Sequence, residues 1–279
     1  PDPDPDPDPD PDHPDPDHPD PDHPDPDDHH YADRRFPAGL LPPISQRIRD
    51  MTSGGKFAFL KVRAVPDLFW SAPRALTIRP PVISVVMLAI GLVIFGIGEA
   101  LLIASGVGVS PWTVLAQGIT NITGWSVGLA TFVVSVVVLL VWVPLRQTPG
   151  MGTILNIIII SVVLDVALPW LPQFESLALR VAEAAVGVIV TGIGGAIYLI
   201  ANLGPGPRDG LMTGLQRLTN FPIAWVRSGI EIGAVMLGWS LGGVVGIGTL
   251  LFAFGIGPCV AAAMYGLQQT FGAAAAQRR

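Results

Sequence analysis

Two pairs of charged side chains in an otherwise apolar sequence could carry chemistry. The stretch ANLGPGPRDGLMTGLQ, residues 201–216, places Arg208 and Asp209 directly after a Gly/Pro-rich loop. Arg227 and Glu231 lie four positions apart and share one helix face. Because charges are costly in lipid, we expect Arg227 and Glu231 to face the protein interior, as an ion pair or a solute or proton site. Local pairing in a surface loop is the structural alternative for Arg208 and Asp209.

Prolines mark the starts of two short helices near this candidate site. The helices near 110–122 and 206–219 cover about half of a bilayer, which indicates re-entrant or interfacial segments. Each begins at a proline, which is favoured in the first helical turn. A helix start within the membrane presents free N–H groups and a partial positive charge, which favours an anion. The predicted substrate-binding residues are Pro111, Trp112, Pro207, Arg208, Asp209, Arg227 and Glu231.

Two further carboxylates, Asp165 and Glu99, lie near the ends of apolar stretches. An intramembrane carboxylate can stay protonated or relay protons, so both are candidates for proton or ion coupling. Solvation by water at the end of a span is the alternative for each. Arg180 and Glu183 open another stretch, where we expect an interfacial location.

Several chemistries are disfavoured by composition. All five histidines lie within the first 30 residues, which argues against histidine-based hydrolysis or metal ligation in the rest of the chain. A single cysteine, Cys259, excludes an internal disulfide and a CxxC motif. The glycine motifs lack the strand–loop–helix context of nucleotide loops, so close helix packing is the better interpretation. We expect no catalytic residue, no cofactor and no metal site.

Apolar stretches must position these residues. The chain of 279 residues is half hydrophobic and 14% charged, which is typical of a membrane protein. Because about 20 helical residues cross a bilayer, the sequence predicts an all-α polytopic membrane protein with about six transmembrane helices. The six stretches are 82–104, 125–145, 152–171, 181–203, 221–241 and 247–268.

The chain repeats itself without a gap at an offset of 96 residues. The offset aligns GIGEA (96–100) with GIGGA (192–196), Pro111 with Pro207, and GMGT (150–153) with GIGT (246–249). This register indicates membrane repeat 1, residues 82–171, and membrane repeat 2, residues 178–268. Because three spans is an odd number, the second copy must enter the membrane from the opposite side. The sequence therefore predicts inverted repeats, each with one half-length helix.

Charge placement predicts the orientation. The loops at 105–124 and 242–247 carry no Lys or Arg, whereas basic residues of the other loops fall on one side, with Arg180 as the exception. The positive-inside rule then places both termini in the cytoplasm. An excess of Arg over Lys hints at a bacterial source, so we expect a multi-pass protein of the inner membrane.

The N-terminal region differs from the membrane body. Residues 1–33 carry fourteen aspartates, alternating with prolines, and no Lys or Arg, which predicts a disordered acidic tail. Residues 34–81 are basic and aromatic, and we expect them at the cytoplasmic membrane surface rather than on nucleic acid. Residues 269–279 form a short C-terminal tail.

The motifs GVGVSPWTVLAQGI, GTILN and LGPGPRDGLMTGL, with the later IE and GIGT, resemble the YczE-like (YczE/YyaS/YitT) family of bacterial integral membrane proteins. The resemblance covers about residues 82–268 and leaves out the acidic tail. It implies a polytopic inner-membrane protein without implying a chemistry.

The leading functional prediction is a transporter or permease of a small solute, for which an anion is one candidate. The alternative is a non-catalytic membrane scaffold or assembly factor that docks a partner on the basic segment. A membrane-embedded enzyme that uses carboxylates is a third hypothesis. The expected partners are the lipid bilayer and a small-molecule solute, and a homo-oligomer is left open.

Overall fold

The computed structural model describes residues 65–77 and 79–276, with side chains up to residue 272, and its regular elements are helical. The acidic tail 1–33 and most of the segment 34–81 lie outside the described residues, so the predictions for them stay predictions. A single 3₁₀ turn, Leu168–Trp170, follows the fourth helix. The α-helices are α1 Val82–Ser105, α2 Pro111–Thr123, α3 Val127–Val141, α4 Met151–Ala167, α5 Leu177–Ile200, α6 Pro207–Thr219, α7 Ile223–Ser240 and α8 Ile247–Ala276.

Four of these helices are long and apolar enough to cross a membrane, namely α1, α4 with its 3₁₀ turn, α5 and α8. A fifth span results if α2 and α3, which bend by 115° at a short break, are counted as one. The predicted spans 125–145 and 221–241 correspond to α3 and α7, which do not pass this test alone. Helix α3 has fifteen residues and covers only about 22 Å, and α7 carries Arg227 and Glu231.

The helix boundaries follow the offset found in the sequence. Helices α2 and α6 begin at Pro111 and Pro207, which are 96 positions apart. The same spacing separates the first residues of α3 and α7, and those of α4 and α8. Each half of the described body therefore contains the same order: a long helix, a half-length helix that begins at a proline, and two further helices.

Helices α1 and α5 cross at the centre of the fold through glycines. A Cβ added at Gly91 would overlap the backbone of Tyr198, and one added at Gly98 would overlap that of Gly187. Small residues at these positions let the two backbones approach closely. Because higher numbers in α1 face lower numbers in α5, the two helices run in opposite directions.

The two GxGT motifs dock onto the loops of the opposite half. The Gly152 N–H donates to the Leu203 carbonyl at 2.7 Å, and the Gly248 N–H donates to the Val107 carbonyl at 2.8 Å. These two contacts are related by the same offset of 96. A Cβ added at Gly152 or Gly248 would overlap the facing loop backbone, so these glycines serve close packing. No nucleotide is needed to explain the motif.

A short segment before α1 anchors the end of α5. Trp70 is 1% exposed and stacks edge-on against Phe271 of α8, with 5.5 Å between ring centroids. The Ala72 N–H donates to the Ala201 carbonyl, and the Asn202 side-chain amide donates back to the Ala72 carbonyl. The described part of the predicted membrane-surface segment therefore packs against the helical body.

The two halves differ in one helix pair. Helix α3 packs against α4, whereas their counterparts α7 and α8 have almost no contact with each other. A Cβ added at Gly257 of α8 would meet no atom within 4 Å. Helices α7 and α8 therefore leave open space between them in the described structure.

Candidate functional site

A cavity of about 370 Å³ lies where the starts of α2 and α6 converge. Its wall includes Pro111 and Trp112 from α2, and Pro207 with its two following residues from α6. Helix α6 has Gly206 as its N-cap without a side-chain acceptor, and first-turn N–H groups lack partners within their helix. All seven residues predicted to bind a substrate line this one cavity. Their role in binding stays a prediction.

Arg208 provides an unpaired cation in the cavity wall. Its guanidinium carbon lies 5.4 Å from the centroid of the Trp112 ring, in a cation–π arrangement. Within residues 65–77 and 79–276 the side chain makes no ion pair and no hydrogen bond. The ion pair between Arg208 and Asp209 that the structural alternative required is therefore absent from the described residues, and the donors of Arg208 are available to a bound group.

Asp209 provides a carboxylate with spare acceptor capacity. The Tyr198 hydroxyl donates to Oδ2 of Asp209 at 3.1 Å. Oδ1 accepts no hydrogen bond in the described part of the chain, and both residues line the cavity. Because neighbouring positions on a helix point in different directions, Arg208 reaches Trp112 of α2 while Asp209 reaches Tyr198 of α5.

Arg227 and Glu231 form the ion pair that their spacing predicted. Nε of Arg227 lies 2.9 Å from Oε1 of Glu231, and both side chains line the cavity from α7. The Arg227 side chain is 54% exposed and that of Glu231 is 27% exposed. The two charges compensate each other beside the open space between α7 and α8.

Glu99 lies in the protein interior outside the cavity wall. It is 1% exposed, and its Oε2 accepts hydrogen bonds of 2.7 Å from the Ser110 and Thr113 hydroxyls. Its Oε1 is buried and has no hydrogen-bond partner among the described residues. The geometry places a carboxylate at the start of α2, where the helix dipole stabilises negative charge. Its predicted part in proton coupling stays a prediction.

In the second half of the chain, the space that corresponds to the Glu99 side chain of the first half is open. The counterparts of Glu99 and Ser110 at the offset of 96 are Gly195 and Gly206, and both line the cavity. A Cβ added at Gly195 would meet only ordinary van der Waals contacts. The start of α6 therefore faces the cavity, whereas the start of α2 faces an internal carboxylate.

Asp165 does not reach the cavity. Its two oxygens accept hydrogen bonds from the Ser126 hydroxyl at 2.6 Å and the Gly128 N–H at 2.8 Å. Both donors belong to the first turn of α3, so Asp165 joins α4 to the start of α3. It lines a separate cavity of about 220 Å³ on that side of the protein. Its predicted role in ion coupling stays a prediction, and the geometry gives it a capping role.

Arg180, the exception to the charge pattern, is held by the protein. Its guanidinium donates hydrogen bonds of 2.6 Å to the carbonyls of Ser105 and Gly106, at the end of α1. A cation at a helix C-terminus satisfies free carbonyls and complements the helix dipole. Glu183, one turn further along α5, is buried, and its carboxylate has no hydrogen-bond partner in the part of the chain that the structure describes.

The rest of the cavity wall is mainly apolar, with Asn156 contributing an amide. Sequence reasoning did not identify Tyr198, whose hydroxyl positions Asp209. Its counterpart at the offset of 96 is the apolar Leu102, so the repeat gave no sign of a polar position there. Sequence reasoning also did not identify Trp142, whose indole N–H donates to the Pro207 carbonyl at 2.9 Å and fixes the start of α6. The apolar lining includes Phe95, Ile160, Met212, Phe252, Ile256 and Met264.

These features define a membrane protein whose described elements are helical and whose mainly apolar cavity is lined by charged side chains. A family model described as a family of unknown function, DUF6198, matches residues 82–265. The chain belongs to this family. The match covers the helical body up to α8 and therefore includes the whole cavity wall.

Three relatives agree with this assignment. An uncharacterized protein of Haemophilus influenzae is 43% identical over 200 residues, covering 72% of this chain and 91% of that protein. The uncharacterized membrane protein YczE of Bacillus subtilis is 31% identical over 58% of this chain and 77% of its own length. The uncharacterized protein YyaS of the same organism is 29% identical over 58% of this chain and 83% of its own length. The resemblance to the YczE-like family is thereby confirmed. No solved structure matches the chain.

Proposed function

We propose that this protein is a transporter or permease of a small charged solute, and that the cavity between α2 and α6 is its binding site. The observation that carries the proposal is the unpaired Arg208 in the wall of a cavity of about 370 Å³. Ligand sites in proteins have volumes of about 300–1,000 Å³ and combine apolar walls with a few placed polar groups. The anionic group of the solute contacts Arg208 beside the start of α6. No catalytic step is part of the proposal.

The arrangement of the two halves supports alternating access between inverted repeats. Helices α1 and α5 run in opposite directions, and the docking of Gly152 on Leu203 has its counterpart in Gly248 on Val107. Arg208 and Trp112, which are themselves counterparts, meet at the cavity. Reciprocal contacts of this kind are expected from a two-fold relation between the repeats. The pair α2–α3, which bends by 115°, and its counterpart pair α6–α7 then complete six crossings of the bacterial inner membrane, with both termini cytoplasmic.

The test is a thermal-shift screen of the purified full chain in detergent with small carboxylates, phosphate and sulfate, followed by uptake of each binder into proteoliposomes. Arg208→Ala is compared with Arg217→Ala, which removes the same charge from an exposed position on the same helix. We expect at least one solute to bind, and Arg208→Ala to weaken it about ten- to hundredfold, as for a lost charge-assisted hydrogen bond. Arg217→Ala leaves binding unchanged.

The scaffold alternative gives the opposite result. No small solute then shifts the melting temperature, and Arg208→Ala has no larger effect than Arg217→Ala. The basic segment that would dock a partner lies mostly outside the described residues. Solute binding at the cavity is therefore the property that distinguishes a transporter from a scaffold. Binding without uptake would contradict the transport proposal.

A further inference from the structure

We infer that the solute is zwitterionic, with its anionic group on Arg208, its cationic group on Asp209 and an apolar body between α5 and α8. The inference rests on the proposed function and narrows its substrate class. It follows from the way in which the charges of the cavity are paired or left unpaired.

The cavity wall carries two arginines and two carboxylates, so it offers no net positive charge to a simple anion. Arg227 and Glu231 neutralise each other at 2.9 Å. Arg208 and Asp209 make no ion pair within residues 65–77 and 79–276, although both line the same space. Within the cavity wall, the charges left to a solute are therefore one cation and one anion, and the Glu99 carboxylate outside the wall adds negative rather than positive potential at Arg208.

The surroundings hold these two charges apart. Arg208 is stacked on Trp112, and Asp209 is hydrogen-bonded to the Tyr198 hydroxyl, so each side chain is anchored to a different helix. A solute with only an anionic group would bind near an uncompensated Asp209 carboxylate, and like charges at close range repel. A solute with a second, cationic group converts that repulsion into attraction.

The remaining wall suits an apolar body. Phe95 of α1 and Ile160 of α4 line one part, and Phe252, Ile256 and Met264 of α8 line another. At about 370 Å³ the cavity corresponds to roughly a dozen water volumes, which admits a molecule of amino-acid size. An α-amino acid with an apolar side chain combines the two charges and the apolar body.

The experiment compares leucine with two analogues that each lack one charge. 4-Methylpentanoate keeps the carboxylate and lacks the ammonium, whereas 3-methylbutylamine keeps the ammonium and lacks the carboxylate. Valine, methionine and phenylalanine serve as further zwitterions. Binding to the full chain is measured by thermal shift and calorimetry, for the wild type, Arg208→Lys, Arg208→Ala and Asp209→Asn. Arg217→Ala and Glu175→Gln are the matched controls, since both residues are exposed and lie outside the cavity wall.

We expect at least one of the four amino acids to bind, and leucine to bind about ten- to hundredfold more tightly than either analogue. Asp209→Asn weakens leucine binding and strengthens 4-methylpentanoate binding, because it removes the repulsive carboxylate. Arg208→Ala weakens the binding of leucine and of 4-methylpentanoate, and Arg208→Lys weakens it less. Both control variants behave as the wild type.

Three results would overturn the inference: no binding of any of the four amino acids, equal or tighter binding of 4-methylpentanoate, or an Asp209→Asn variant that leaves the preference unchanged. If 4-methylpentanoate or phosphate binds in an Arg208-dependent manner while the amino acids do not, the zwitterion is excluded and the proposed function stands. If nothing in either screen binds, both fail together. Size-exclusion profiles of each variant distinguish a lost ligand from a lost fold.

Discussion

The Arg208 guanidinium lies over the Trp112 indole ring, 5.4 Å from its centroid, and these two residues are counterparts in the two halves of the chain. The ring holds the cation beside the cavity without neutralising it. An acidic partner at position 112 would have formed an ion pair and withdrawn Arg208 from a solute. The aromatic counterpart thus keeps a charge both ordered and available.

Trp112→Leu removes the aromatic face and keeps an apolar side chain at this position. A cation–π contact contributes about 0.5–2 kcal/mol. We therefore expect the affinity for a solute whose anionic group contacts Arg208 to fall by about two- to thirtyfold. Trp112→Phe, which keeps a weaker aromatic face, should be intermediate. Isothermal titration with the solute found in the screen measures the effect. Equal affinities of the Leu and Phe variants would contradict a role for the ring.

Tyr198→Phe deletes the hydroxyl that donates to Asp209 and keeps the ring packed edge-on against Phe95. We expect the free energy of unfolding to fall by about 1 kcal/mol, the typical contribution of one hydrogen bond. Binding of a zwitterion should weaken in addition, because Asp209 loses its anchor. Tyr265→Phe on α8 is the control, since Tyr265 does not line the cavity. Equal effects of the two variants on binding would contradict the positioning role of Tyr198.

Asp165→Ala tests capping against ion coupling. The carboxylate accepts from the Ser126 hydroxyl and the Gly128 N–H, so its loss leaves the Gly128 N–H without its acceptor and frees the Ser126 side chain that caps α3. We expect a stability loss of about 0.5–2 kcal/mol, as for other helix caps, with solute affinity and the pH dependence of uptake unchanged. Thermal melting measures the stability loss. Uptake between pH 6 and 8, roughly the range over which a relay carboxyl would act, measures the pH dependence. A changed pH profile with unchanged melting would instead support coupling through Asp165.

Much of the helix order could be predicted because the chain contains an internal repeat, so that each half can be compared with the other. The offset of 96 aligns Pro111 with Pro207, and the structure starts a half-length helix at each. The charged residues of the cavity could also be predicted, since charges are costly in lipid and therefore face the protein interior.

Other features depend on contacts between different helices and left no sequence signal. Tyr198 meets Asp209, and Trp142 meets Pro207, although their own counterparts are a leucine and a glycine. The span 125–145 was predicted too long because its apolar composition continues past the helix. Helix α3 ends at Val141, shortly before Pro144, which cannot continue a helix.

The last prediction concerns orientation, because inverted repeats require α2 and α6 to enter from opposite sides of the membrane. Single cysteines replace Ile122 at the end of α2, Val245 before α8 and Leu218 at the end of α6, all of which are exposed positions. The background is Cys259→Ala, which removes the only native cysteine.

An impermeant maleimide added to intact cells should label the cysteines at 122 and 245, whereas the one at 218 should be labelled only after lysis. The physical reason is that Arg217 and the other basic loop residues are retained on the cytoplasmic side, while the loops at 105–124 and 242–247 carry no Lys or Arg. Labelling of 122 and 218 from the same side would place both half-length helices on one surface. Arg208 and Trp112 could then not be related by a two-fold axis in the membrane plane, and alternating access between inverted repeats would be excluded.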